Sequence, residues 1–118
     1  MVLFKQLLKY LMPEMLKKAQ ITRIKKSIVD FDSERVRMIF SALGDPGRFQ
    51  IFRLLLKNSD ICVTDVASIL GVTVPAASQQ FRILELSGLV KKNRMGQLIC
   101  YQIRKEDPAV AGIMELIK

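Results

Sequence analysis

Apolar residues recur at helical spacing along most of the chain, in segments divided by glycine, proline and small polar residues. Near the start, Leu3, Phe4, Leu7, Leu8 and Leu11 fall on one side of a helix and Lys5, Gln6 and Lys9 on the other, the spacing of an amphipathic helix. Pro13 ends or bends it, because proline lacks the amide hydrogen and clashes with the preceding turn. A second amphipathic stretch places Ile21, Ile24 and Ile28 together, with Arg23, Lys25 and Lys26 nearby. Beyond residue 30 the punctuation sharpens. Asp32 or Ser33 caps a helix through "ERVRMIFSAL", and Gly44 closes it. Asp45 caps the next, "PGRFQIFRLLLKN". Pro46 sits in its first turn, where a missing N–H costs nothing. The expected buried stripe of this helix is Phe49, Phe52, Leu55 and Leu56.

Two short helices follow. One begins at Thr64 or Asp65 and buries Val66, Ala67 and Leu70 before Gly71 turns the chain. Thr73 caps the other, with Pro75 in its first turn. At 100° per residue its inner face is Ala77, Phe81 and Leu84, while Pro75, Gln79 and Arg82 point outward with Ser78 beside them. Isolated helices shorter than about 12–15 residues are marginal in water, so packing must hold both. This is a helix–turn–helix: the first helix braces the second, whose outer face is free to read a partner. After Gly88, "LVKKNRMGQLICYQIR" contains two β-prone runs, Leu89–Met95 and Leu98–Arg104, around Gly96. Lys91, Lys92 and Arg94 cluster toward the tip, as in a basic wing. Asp107-Pro108 opens a last helix with Val110, Ile113, Met114 and Ile117 at helical spacing. The expected fold is mainly α with a small β-hairpin, a winged helix–turn–helix.

Composition narrows the partners. The chain has 118 residues, with nineteen Lys/Arg against eleven Asp/Glu for a net charge of +8, so an anionic partner is expected. Residues 1–30 hold seven Lys/Arg and two acids, a net +5. They read as a helical extension serving as a dimerisation arm, and residues 31–118 as the DNA-binding domain with a C-terminal dimerisation helix. Three uses of the arm compete: packing on its own domain or a partner subunit, lying along DNA phosphates, or lying on a membrane surface. No apolar run approaches the ~18 residues of a membrane span, and Lys5 and Lys9 interrupt the N-terminal apolar segment, unlike a signal peptide. Two cysteines far apart do not suggest a disulfide scaffold, so a soluble cytoplasmic protein is expected. With no histidine, no paired carboxylates and no phosphate-cradling glycine loop, no catalytic constellation and no cofactor site is read, and the protein is not expected to be an enzyme. The rival function is a basic amphipathic membrane-surface or protein-interaction adaptor module.

The stretches "FSALGDPGRFQIFRLLL", "ICVTDVASILGVTVPAASQQFRILELSGLV" and "GQLICYQI" resemble, in order and spacing, the ArsR/SmtB winged-helix repressors over about residues 36–104. The resemblance implies a homodimeric transcriptional repressor that binds double-stranded DNA at an operator near its own promoter and is released by an inducer, which the sequence does not name. It also implies a dimer interface made by the first and last helices. Two departures matter. Where metal-sensing relatives carry Cys-Val-Cys-Asp, this chain has Cys62-Val63-Thr64-Asp65, and one cysteine with a threonine is a poor soft-metal site. Zinc-binding relatives use Asp, His and Glu on the last helix. Here Asp107 and Glu115 remain without any histidine, so no metal site is expected. Some relatives use a cysteine pair for redox or reactive-sulfur sensing. For Cys62 and Cys100 that reading stands beside the plainer one of two small buried thiols. The reading helix opens on apolar Val74-Pro75-Ala76, so DNA contact falls on its cap Thr73 and on Ser78, Gln79, Gln80 and Arg82, with Lys91, Lys92 and Arg94 from the wing.

Overall fold

The computed structural model describes residues 2–11, 16–29 and 33–117 and divides the chain into two units, residues 1–33 and 34–118. Pro13 and Asp32, the expected helix breaker and one expected cap, lie outside the described residues.

The first unit contains α1 (Val2–Leu11) and α2 (Lys18–Val29). The N-terminus of α2 is closed by Gln20, whose side-chain oxygen accepts the Lys17 N–H at 3.0 Å. Both helices expose their apolar residues, Leu3, Phe4 and Leu7 on α1 and Ile21, Ile24 and Ile28 on α2. Within the unit these faces are uncovered.

The second unit holds α3 (Ser33–Leu43), α4 (Pro46–Lys57), β1 (Ile61–Cys62), α5 (Val63–Leu70), α6 (Val74–Leu86), β2 (Val90–Met95), β3 (Leu98–Ile103) and α7 (Pro108–Ile117). Helix α4 starts as its sequence dictates: Asp45 accepts the Arg48 N–H at 3.0 Å, and Pro46 occupies the first turn. Its buried stripe is Ile51, Phe52 and Leu55. Phe49 and Leu56, expected on that stripe, are half-buried. The buried face is thus centred nearer Ile51 than the expected stripe, on a helix that packs against both α6 and β3.

The sheet has three antiparallel strands in the order β1-β3-β2, where a two-stranded hairpin was expected. The extra strand is two residues long, too short for alternation to register. Its formation moves the start of α5 to Val63, one or two residues earlier than Thr64 or Asp65, with Cys62 as the cap residue. Asp65, the other expected cap, instead accepts the Cys62 N–H at 3.2 Å from the third helical position. The core lies between α4, α6 and the sheet. Phe52, Phe81, Leu84 and Leu89 are completely buried there, each worth about 1.5–3 kcal/mol of transfer free energy. Tyr101 of β3 stacks on Phe81 of α6, ring centroids 4.4 Å apart, which fixes the sheet against that helix. At α7, Asp107 accepts the Ala109 N–H at 3.0 Å and also pairs with Arg35 of α3, joining the first and last helices of this unit.

Candidate nucleic-acid interface

Helices α5 and α6 are joined by a turn of three residues. Gly71 ends α5 with φ 66°, and its N–H donates to Ala67 O. A side chain there would meet open space, so the left-handed backbone alone favours glycine. Thr73 then starts α6, its hydroxyl accepting the Ala76 N–H at 3.2 Å, and Pro75 follows in the first turn. Ala77, Phe81 and Leu84 turn inward and are buried. Ser78, Gln79 and Arg82 stand on the exposed face with Pro75 and Val74.

Gln80 is placed differently. It is half-buried: its oxygen accepts from Arg48 Nη1 at 3.0 Å, and its nitrogen donates to Asp45 Oδ2 at 3.4 Å. Arg48 also donates through Nε to Ala42 O at 2.8 Å. A Cβ on Gly47 would stand 3.2 Å from Asp45 Oδ2 and 3.3 Å from Gln80 Nε2, so a side chain there would crowd the Asp45–Gln80 contact. Gln80 therefore positions α6 against α4. Nothing in the local sequence marked this brace, since Arg48 and Gln80 are 32 residues apart.

The wing is formed by β2 and β3, paired from Val90↔Ile103 at its base to Met95↔Leu98 near its tip. Lys92 and Arg94 alternate with Lys91, Asn93 and Met95, and strand alternation sends the two sets to opposite faces. Lys92 and Arg94 are exposed and have no ion-pair partner among the described residues. Lys91 stands apart from them. It lies near the base, opposite Gln102, with its ammonium 3.5 Å from Glu106, which Arg104 also approaches at 3.8 Å. Hydrogen bonding to its own backbone, with the charges of Lys91 and Arg104, holds the Glu106 carboxyl below its usual range.

The residues that match the family's metal donors are otherwise engaged. Cys62 and Cys100 are joined in a disulfide, so they are neither the two free buried thiols nor the unlinked pair expected from their separation in sequence. Antiparallel pairing of β1 with β3 sets them directly opposite each other. Asp107 is committed to Arg35 and to the α7 cap. Among the described residues no three His, Cys, Asp or Glu side chains converge to hold a metal, and this donor set does not fit one. No helix among the described residues is long and apolar enough to cross a membrane.

An outward polar helix face, braced from behind and flanked by a two-stranded wing with exposed cations, defines a winged helix–turn–helix DNA-binding protein. Residues 45–92 match the model of the bacterial regulatory proteins of the arsR family. The chain is 34% identical over 84 residues to an HTH-type transcriptional regulator of Methanocaldococcus jannaschii, covering 71% of this chain and 92% of that one. It is 31% identical over 87 residues to a cadmium resistance transcriptional regulatory protein CadC homolog of Staphylococcus aureus, covering 74% and 72%. Among solved structures, the homodimeric winged helix-turn-helix DNA-binding domain of a possible ArsR-family regulator from Mycobacterium bovis superposes with a TM-score of 0.63 at 30% identity, over 79% of this chain and 80% of that one. The chain belongs to the arsR family of winged helix–turn–helix transcriptional regulators. That family is regulatory rather than enzymatic, and the adaptor reading is not favoured.

Proposed function

We propose that the protein is a cytoplasmic homodimeric repressor that binds an operator at its own or a neighbouring promoter, without metal as inducer. The observation that carries this reading is the division of labour on α6. Ala77, Phe81 and Leu84 are used by the core and Gln80 by the brace, while Ser78, Gln79 and Arg82 are exposed and make no side-chain hydrogen bond or ion pair among the described residues. An α-helix fits the major groove, where glutamine pairs with adenine and arginine with guanine, each bidentate contact worth about 1–3 kcal/mol of discrimination. Ser78, Gln79 and Arg82 read base edges. Thr73, at the amino end of α6, meets phosphate, and Lys92 and Arg94 meet phosphate or the minor groove. Lys91 supports the wing base through Glu106. Two copies read two half-sites, consistent with the homodimeric Mycobacterium bovis neighbour.

The test is binding to the duplex upstream of the protein's own gene beside a scrambled duplex. Gln79→Ala should lose about 1–3 kcal/mol on the upstream duplex and little on the scrambled one. Equal affinity of the wild type for both duplexes would defeat sequence-specific regulation. An unchanged preference in Gln79→Ala and Ser78→Ala, with wing variants altering it, would make the wing the reader.

A further inference from the structure

The outward face of α6 begins in carbon. Its first turn is Val74-Pro75-Ala76, and all three side chains are exposed, Val74 by 46%. The core does not use them, since Ala77, Phe81 and Leu84 are the buried residues of this helix. One exposed valine is ordinary. Here, however, Pro75 stands one turn before Gln79 and Val74 one turn before Ser78, so each extends a row of the reading face toward the helix start.

The same turn is poor in donors. A helix start ordinarily offers unpaired amides to an acceptor or an anion. Here Pro75 has no N–H, and the Ala76 N–H donates to the Thr73 hydroxyl at 3.2 Å. Recognition by this turn therefore falls on apolar contact. Charge sets the patch apart from the other exposed aliphatic side chain nearby. Ile69 of α5 lies on a groove lined also by Asp60 and Asp65, whose carboxylates repel a phosphate backbone. The face of α6 that carries Val74 and Pro75 carries Arg82 as its charged residue.

We propose that Val74 and Pro75 read thymine through its C5-methyl group, close to the adenine that Gln79 meets; this rests on the DNA-binding reading above. The N-terminal residues of a recognition helix are the ones that contact base edges. In the major groove thymine presents a methyl group beside its O4 acceptor, and an apolar side chain is what meets that methyl. The contact takes water from carbon on both partners and needs no donor. It separates thymine from cytosine, whose C5 carries only hydrogen. Four residues of helix rise about 6 Å, and successive bases on one strand are about 3.4 Å apart. The methyl therefore belongs to a base pair within about two steps of the one that Gln79 reads.

Deoxyuridine keeps every hydrogen-bonding group of thymine and lacks only the methyl. The full chain would be titrated with the upstream and scrambled duplexes, each made with thymine and with deoxyuridine in its place. Wild-type affinity for the upstream duplex should fall roughly four-fold for each methyl lost from contact, and about sixteen-fold where a dimer loses one in each half-site. The scrambled duplex should change little. The double variant Val74→Ser with Pro75→Ser should bind the thymine duplex more weakly and lose the difference between the two, whereas a response to altered DNA shape would persist in it. If that variant fails to fold, deoxyuridine placed at single positions decides. The sensitive thymines must then lie within about two base pairs of the position where Gln79→Ala loses its preference, and sensitivity elsewhere overturns the proposal. Equal wild-type affinity for the thymine and deoxyuridine upstream duplexes, or a full difference kept by the double variant, overturns methyl reading and leaves the DNA-binding reading standing. Absence of any preference for the upstream duplex overturns both.

Discussion

Asp107 and Gln80 show how single residues here hold the fold for the site. Asp107 is almost buried, caps α7 and pairs with Arg35. The Arg35 guanidinium, with the Ala109 N–H, holds its carboxyl below the usual range, against the opposing effect of burial. A carboxyl depressed in the folded state stabilises above its unfolded pKa, about 3.9, and that stability is lost as pH falls through the folded pKa. Urea midpoints measured from neutral pH downward should therefore be flat until about pH 4 and then decline. In Asp107→Asn the midpoint should be lower at neutral pH and the acid decline shallower. Glu106 is depressed in the same direction but exposed, so screening reduces its share. The neighbours Gln79 and Gln80 separate reading from bracing. Gln80→Ala removes one partner each from Arg48 and Asp45, which keep the Ala42 O and Arg48 N–H bonds, and should cost about 1 kcal/mol of stability, weakening specific and random DNA alike. Gln79 is exposed and has no side-chain hydrogen bond among the described residues, so Gln79→Ala should stay within about 0.5 kcal/mol of wild type in stability, with its effect confined to the operator.

At the level of elements, the wing and the reading helix should differ in salt dependence. Lys92→Ala or Arg94→Ala should weaken binding to every duplex and flatten the slope of log K against log[salt] by about one unit for each phosphate left without its cation, or about two through a dimer. Lys91→Ala should change the slope less, because its ammonium faces Glu106; an equal flattening in all three would return Lys91 to the phosphate-binding set. Lys91 shows where sequence reading stopped. Caps and periodicity located α4, α6 and α7 with their ends, because Asp45, Thr73 and Asp107 each bond an amide within three residues. The inner face of α6 was legible for the same reason, since Ala77, Phe81 and Leu84 follow the helical period. Strand β1, the Arg48–Gln80 brace and the Cys62–Cys100 bond were not. Each joins residues more than thirty apart in the chain, and no local pattern encodes which distant segment a side chain will meet. Lys91 was grouped with Lys92 and Arg94 by adjacency, whereas strand alternation and Glu106, fifteen positions on, set it apart.

For the whole molecule, the remaining question is what covers the apolar surface. Leu3, Phe4 and Leu7 on α1, Ile24 and Ile28 on α2, Phe40 on α3 and Leu116 on α7 are all exposed, Leu116 by 75%. Scattered single residues of this kind are ordinary, but faces at helical spacing on helices near both ends of the chain suit a second copy. Sedimentation at micromolar concentration should find a dimer, and deletion of residues 1–30 should shift it toward monomer and weaken DNA binding. That deletion also removes a net charge of +5, so weaker binding alone does not separate a dimerisation arm from one lying on phosphates. Salt dependence does. At concentrations that restore the truncated dimer, an arm that only dimerises leaves the wild-type slope of log K against log[salt] intact. An arm on the backbone takes about one unit of slope with it for each phosphate it had neutralised. We expect the slope to be kept. A truncated protein that remains fully dimeric yet shows a flatter slope would assign the arm to DNA and leave dimerisation to the second unit alone.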